Sequence, residues 1–154
     1  MPMEIERKFT VRDDAPFKGQ PAVPVRQGYL ARGEREEVRV RRVGDEYSLT
    51  VKKGSGLERQ EFETSIDAAQ FDALWPATEG CRVSKSRRLV PLPAGRTAHV
   101  DVFEGRLAGL VTVEVEFEDR EEALAFVPPA WFGTEVTDDG RYANKELSSS
   151  GIPS

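Results

Sequence analysis

A chain of 154 residues has room for one domain with a buried core. Its 32% charged and 38% hydrophobic residues exclude a disordered polymer, and a net charge of −5 with a pI near 5.1 argues against broad nucleic-acid binding. Cys81, the only cysteine, rules out an internal disulfide and a thiol-rich zinc cluster; an acidic N-terminus without a signal-peptide pattern and no apolar run of membrane-spanning length predict a soluble, cytoplasmic protein.

The first predicted element is a strand over Met1–Phe9, whose alternation sends Glu4, Glu6 and Lys8 to one face and Met3, Ile5 and Arg7 to the other. Two carboxylates and an ammonium in one row can ligate a hard cation and contact an anion beside it; the plain alternative is a charged edge strand with a solvated face. After a loop around Pro16–Pro24 come strands at Val25–Ala31, Glu37–Val43 and Glu46–Lys53, the last two joined by the hairpin signature Gly44-Asp45. Lys53-Gly54-Ser55-Gly56 turns the chain into Leu57–Thr64. The period then changes: Ala68, Phe71, Leu74 and Trp75 fit one face of a short helix over Ile66–Trp75, stopped by Pro76. Strands at Arg82–Val90, Thr97–Glu104 and Leu110–Glu118 follow, with turns at Pro91–Gly95 and Gly105–Gly109. Asp119 and Glu122 form an acidic capping box before a helical Ala123, Leu124, Val127 pattern that Pro128-Pro129 breaks. Arg141–Leu147 reads as one more short helix, and Ser148–Ser154 as a frayed tail. The class is therefore mainly β (α+β), with about eight antiparallel strands in a closed barrel or a sandwich.

The faces carry the functional signal. Arg39 and Arg41 share a face, as do Thr50 and Lys52, then Arg59, Glu61 and Glu63, then Lys85 and Arg87, then His99 and Asp101, then Glu114 and Glu116. A sandwich with a charged exterior gives the same alternation as a barrel with a polar bore. The bore is favoured because these positions are nearly all charged rather than mixed with Ser, Thr and Gln, and because the signs are blocked by strand. Like charges along one strand repel and call for a ligand. Only oxygen donors recur on these faces, so a hard cation is expected. Cys81, Trp75 and Trp131 read as packing, Asp138-Asp139 as a turn or cap, and Tyr29 as structural or site-lining.

Glu4-x-Glu6-x-Lys8 resembles the ExExK signature of the CYTH-domain proteins, the triphosphate tunnel metalloenzymes. The likeness runs on in order through Gln27-Gly28-Tyr29-Leu30, Val38-Arg39-Val40-Arg41, Leu49-Thr50-Val51-Lys52, Arg59-x-Glu61-x-Glu63, Lys85-x-Arg87, Asp101-Val102-Phe103 and Glu114-x-Glu116. It ends with Val136-Thr137 and Arg141-Tyr142-x-Asn144. Arg88 departs from the pattern, standing where a Tyr is expected, on the parity away from the site. The resemblance implies one CYTH-like domain over residues 1–154, built as an eight-stranded antiparallel closed barrel, the tunnel, with a few short helices. It further implies metal-dependent hydrolysis of inorganic triphosphate. On that reading Lys8, Arg39, Arg41, Lys52, Arg59, Lys85 and Arg87 hold the triphosphate. Glu4, Glu6, Glu61, Glu63, Asp101, Glu114 and Glu116 hold Mg2+ or Mn2+, and Glu4, Glu6, Lys8, Glu114 and Glu116 carry the chemistry. The family also hosts adenylate cyclases and nucleoside and thiamine triphosphatases, and a non-catalytic polyphosphate- or nucleotide-binding module is a further alternative. The expected partner is a small triphosphate, with no nucleic acid and no membrane, on a monomer or homodimer.

Overall fold

A computed structural model describes residues 3–54 and 56–154, so Met1 and Pro2 of the predicted first strand and Ser55 of the predicted turn lie outside the described residues. The strands are β1 (Met3–Val11), β2 (Val23–Arg32), β3 (Glu36–Val43), β4 (Glu46–Lys53), β5 (Glu58–Ile66), β6 (Arg82–Pro91), β7 (Thr97–Phe103), β8 (Val111–Phe117) and β9 (Phe132–Glu135). The helices are α1 (Ala15–Lys18), α2 (Ala68–Leu74), α3 (Arg120–Ala125) and α4 (Asn144–Ser150). Every strand pair is antiparallel, in the order β5-β4-β3-β2-β6-β7-β8-β1, and β1 closes the ring onto β5 through Met3↔Gln60, Glu4↔Arg59 and Ile5↔Glu58. This is an eight-stranded closed barrel, and β9 adds to the far end of β1 opposite Phe9 and Val11.

The alternation resolves in favour of the bore. The outward faces of β1, β7 and β8 supply Phe9, Val100, Val113 and Val115, which pack with Phe17 of α1, Ala123 of α3 and Phe132 of β9. The core therefore lies outside the barrel wall, under the helices, and the charged face is left to the interior. Gly28 marks a close approach on this outer side, where a Cβ would fall 2.5 Å from the Thr78 side chain. A second apolar cluster (Val83, Phe103, Leu107, Leu110 and Leu147) lies within one end of the barrel. Val83 and Phe103 share the inward parity of Lys85 and Asp101, so Leu147 of α4 closes this end as a plug.

Several sequence expectations are corrected. The stretch before Pro24 contains the α1 turn, with Pro16 in its first turn and Phe17 buried. The helix over Ile66–Trp75 begins only at Ala68, because Asp67 and Gln70 form a reciprocal capping box, and it ends at Leu74, with Pro76 inside a 3-10 turn over Trp75–Thr78. In α3 Asp119 caps Glu122, but the Glu122 carboxylate reaches the Glu118 amide. Leu124 and Val127 are 68% and 82% exposed; the helix ends at Ala125 and Phe126 turns into the aromatic cluster instead. Ser148–Ser154 is not simply frayed: α4 runs to Ser150, Ser148 is buried, Arg32 donates to the Lys145 carbonyl and Ser149 hydroxyl, and Arg106 donates to the Ser148 carbonyl.

Candidate active site

The barrel encloses a cavity of about 370 Å³. Its walls carry Glu4, Glu6 and Lys8 from β1, Arg39 and Arg41 from β3, Lys52 from β4, Arg59 and Glu61 from β5, Lys85 and Arg87 from β6, and Glu114 and Glu116 from β8. Register explains the convergence: Glu6 faces Glu116 and Lys8 faces Glu114 across β1–β8, Arg39 faces Thr50, and Glu61 faces Lys52. Of the predicted residues, Glu63 and Asp101 do not line the cavity. Glu63 is exposed, near Arg41 at 3.7 Å. Asp101, 1% exposed, has both oxygens engaged, by Lys85 at 2.6 Å and by Arg87 at 2.8 and 2.9 Å. Three contacts thus occupy a carboxylate with about four acceptor sites, and it scaffolds two cations of the wall.

Glu4, Glu6 and Glu116 can each present an oxygen within 4.8 Å of the others, a set of hard donors. Lys52 lies 2.9 Å from Glu4 and 3.3 Å from Glu61, and one Arg59 nitrogen bridges Glu4 at 2.9 Å and Glu6 at 2.8 Å. Burial opposes ionisation of Glu4, but Lys52, Glu61 and Arg59 together hold it down to about 2. Burial, then the Glu114 and Glu4 carboxylates, push Glu6 up to about 8. A carboxyl crowded by negative charge in this way fits an added cation.

On β3, Glu37 shares the face of Arg39, and Glu63 approaches Arg41 to 3.7 Å. Arg39 is 5% exposed, and among the described residues the buried Nε atoms of Arg39 and Arg41 have no acceptor. Burial, then repulsion from Arg39 and Arg87, lowers Arg41 to about 10. Buried, unpartnered guanidinium donors call for an oxyanion. Burial and Arg87 likewise bring Lys85 down to about 8, although Asp101 opposes the shift.

Tyr29 lines the cavity and accepts from Gln27 at 2.9 Å. Trp75 stacks on Phe71 and Trp131 packs against Phe17 and Phe132, both away from the cavity. Arg88 points outward and donates to the Lys18 carbonyl at 2.8 Å, which ties α1 to the wall. Asp139 caps the turn at Arg141, whereas Asp138 lines the cavity. Sequence reasoning gave no role to Glu37, Glu34, Thr137, Asn144 and Lys145, all of which line the cavity. Glu37 has the parity of Arg39 and was within reach of the same argument. Glu34 and Lys145 lie outside the strands, where no alternation could find them.

A family model described as CYTH domain matches residues 2–135. The chain is 52% identical over 148 residues to an inorganic triphosphatase of Nitrosomonas europaea, covering 96% of this chain and 97% of that protein. It is 38% identical over 148 residues to an inorganic triphosphatase of Acetivibrio thermocellus, covering 96% and 94%. A crystal structure of an inorganic triphosphatase, 50% identical, superposes with a TM-score of 0.72 over 100% of this chain and 99% of that one.

Proposed function

The chain belongs to the CYTH-domain family, and on that premise we propose that it is a metal-dependent hydrolase of inorganic triphosphate, acting as one domain over residues 1–154. The observation that carries the substrate class is the pair of buried Nε donors, on Arg39 and Arg41 in the cavity wall, that have no acceptor among the described residues. The names of its relatives support the same substrate. Tyr29 is the only aromatic residue lining the cavity among the described residues, so no wall is built to stack a nucleobase.

Arg39 and Arg41 bind phosphate oxygens through their planar forks, and Lys8, Lys52, Lys85 and Arg87 add charge along the same bore. Glu4, Glu6 and Glu116 are the residues that would hold a divalent cation such as Mg2+ or Mn2+, with Glu61 and Glu114 beside them. Bound there, the cation supplies charge neutralisation at phosphate oxygens and a water of lowered pKa. In the reaction a water oxygen bonds to the terminal phosphorus while the P–O bond to the rest of the chain breaks. Diphosphate and phosphate are released, and the water's proton passes to the carboxylate wall. The basic side chains stabilise the charge gathering on the departing diphosphate.

The test is phosphate release from inorganic triphosphate, ATP and thiamine triphosphate side by side, with Mg2+, Mn2+ or a chelator. Release from triphosphate that the chelator abolishes is expected. Cyclic AMP from ATP, or binding without any release, would overturn the assignment.

A further inference from the structure

The C-terminal stretch lies beyond the family-matched residues 2–135, yet Ala143, Asn144 and Lys145 form part of the cavity wall. Two cavity lysines end on it. Lys8 Nζ sits 3.2 Å from Glu114 Oε1 and donates to the Tyr142 carbonyl at 3.1 Å. Lys85 Nζ sits 2.6 Å from Asp101 Oδ2 and donates to Asn144 Oδ1 at 3.4 Å. An ammonium has three N–H donors. Each lysine thus pairs with a carboxylate, donates to a neutral oxygen of the C-terminal segment and lines the cavity. A neutral acceptor fixes direction without cancelling charge.

We infer that Asn144 is a positioning residue for Lys85, its amide oxygen aiming an N–H of the buried ammonium at a phosphate oxygen of the substrate. This rests on reading the tunnel as a triphosphate site. With Asp101 alone, Lys85 is drawn toward the wall, because that contact is the shorter of the two. Asn144 also begins α4, where Ala143 offers no side-chain cap. A purely structural role would be served at least as well by aspartate, which the positive end of a helix favours. For positioning, aspartate is harmful: it adds a negative charge beside the ammonium and in the path of the phosphate.

The experiment measures triphosphate binding by calorimetry in chelator, where no turnover occurs, together with KM, kcat and melting temperature, for the wild type, Asn144→Ala and Asn144→Asp. Losing one charge-assisted hydrogen bond is expected to raise Kd and KM roughly tenfold in Asn144→Ala, with a smaller change in kcat. Asn144→Asp is expected to melt at or above the wild-type temperature and still to bind at least as weakly as the alanine variant. Wild-type affinity in a well-folded Asn144→Asp protein, or affinity losses that only follow melting temperature, would overturn the inference and leave the triphosphate reading standing. A wild type that binds no triphosphate would remove both.

Discussion

Replacing Asp101 by asparagine tests the division of the bore carboxylates between scaffold and metal site. Asp101 is 1% exposed and pairs with Lys85 at 2.6 Å and Arg87 at 2.8 Å. Burial disfavours its charge, but Lys85 and then Arg87 overcome this and hold the carboxyl below its ordinary value. Asparagine keeps the shape and removes the charge, which leaves two cations uncompensated in the wall. Breaking one side of a buried ion pair costs about 3–5 kcal/mol. For a chain of this size each kcal/mol moves the melting temperature by about 2–4 °C, so a fall of roughly 6–20 °C is expected. The stabilisation is present above the ordinary carboxylate pKa and is lost as pH falls through the lowered folded value, so the gap between wild type and variant should narrow in acid. Thermal melts across pH, paired with triphosphate hydrolysis at increasing Mg2+ below the melting point, provide the assay. The expected variant is much less stable but half-saturates at a similar Mg2+ concentration. Wild-type stability with a tenfold higher metal requirement (about 1.4 kcal/mol of lost metal binding) would refute the reasoning and make Asp101 a ligand.

Leu147→Ala, at a side chain with 0% exposure in the plug cluster, should cost about 3 kcal/mol in chemical denaturation and raise KM as α4 loosens. Arg39→Ala should raise the Michaelis constant for triphosphate by roughly tenfold or more, because it removes a buried Nε donor that has no acceptor among the described residues; unchanged kinetics would place that donor outside the substrate's reach. Glu135 accepts from Arg7 at 2.7 and 2.8 Å and from Thr137 at 2.7 Å, and the Arg7 hydrogen bond leads in lowering its carboxyl. Its contribution exists above the ordinary carboxylate value and vanishes as pH falls through the folded one. Glu135→Gln should therefore cost up to about 1 kcal/mol at neutral pH and nothing in strong acid, as read by urea denaturation at both.

The inward face was legible residue by residue because strand alternation is local. Glu4, Glu6 and Lys8, Arg39 and Arg41, and Glu114 and Glu116 all share their cavity wall as period two requires. What alternation cannot reveal is the partner across the next strand. Asp101 and Glu116 look alike along their own strands, but stagger sets Asp101 opposite Arg87 and Glu116 opposite Glu6, so one is neutralised and the other joins a carboxylate cluster. Strand β9 escaped notice because four residues with a glycine carry no pattern; Gly133 is required there because a Cβ would strike Thr10. The serine run ending α4 reads as tail, and the arginines that anchor it, Arg32 and Arg106, are distant in sequence. Leu124 and Val127 misled through helical spacing that the chain abandons at Phe126, just before the residue that Pro128 restricts to extended geometry.

The central claim is that one tunnel binds the triphosphate on its arginines and hydrolyses it through its carboxylates. The most direct measurement is a paired one on Glu4→Gln/Glu6→Gln: calorimetric binding of triphosphate in chelator, and phosphate release in saturating Mg2+. The expected double variant folds, still binds the substrate and releases no phosphate. Full turnover by a folded double variant would contradict the central claim.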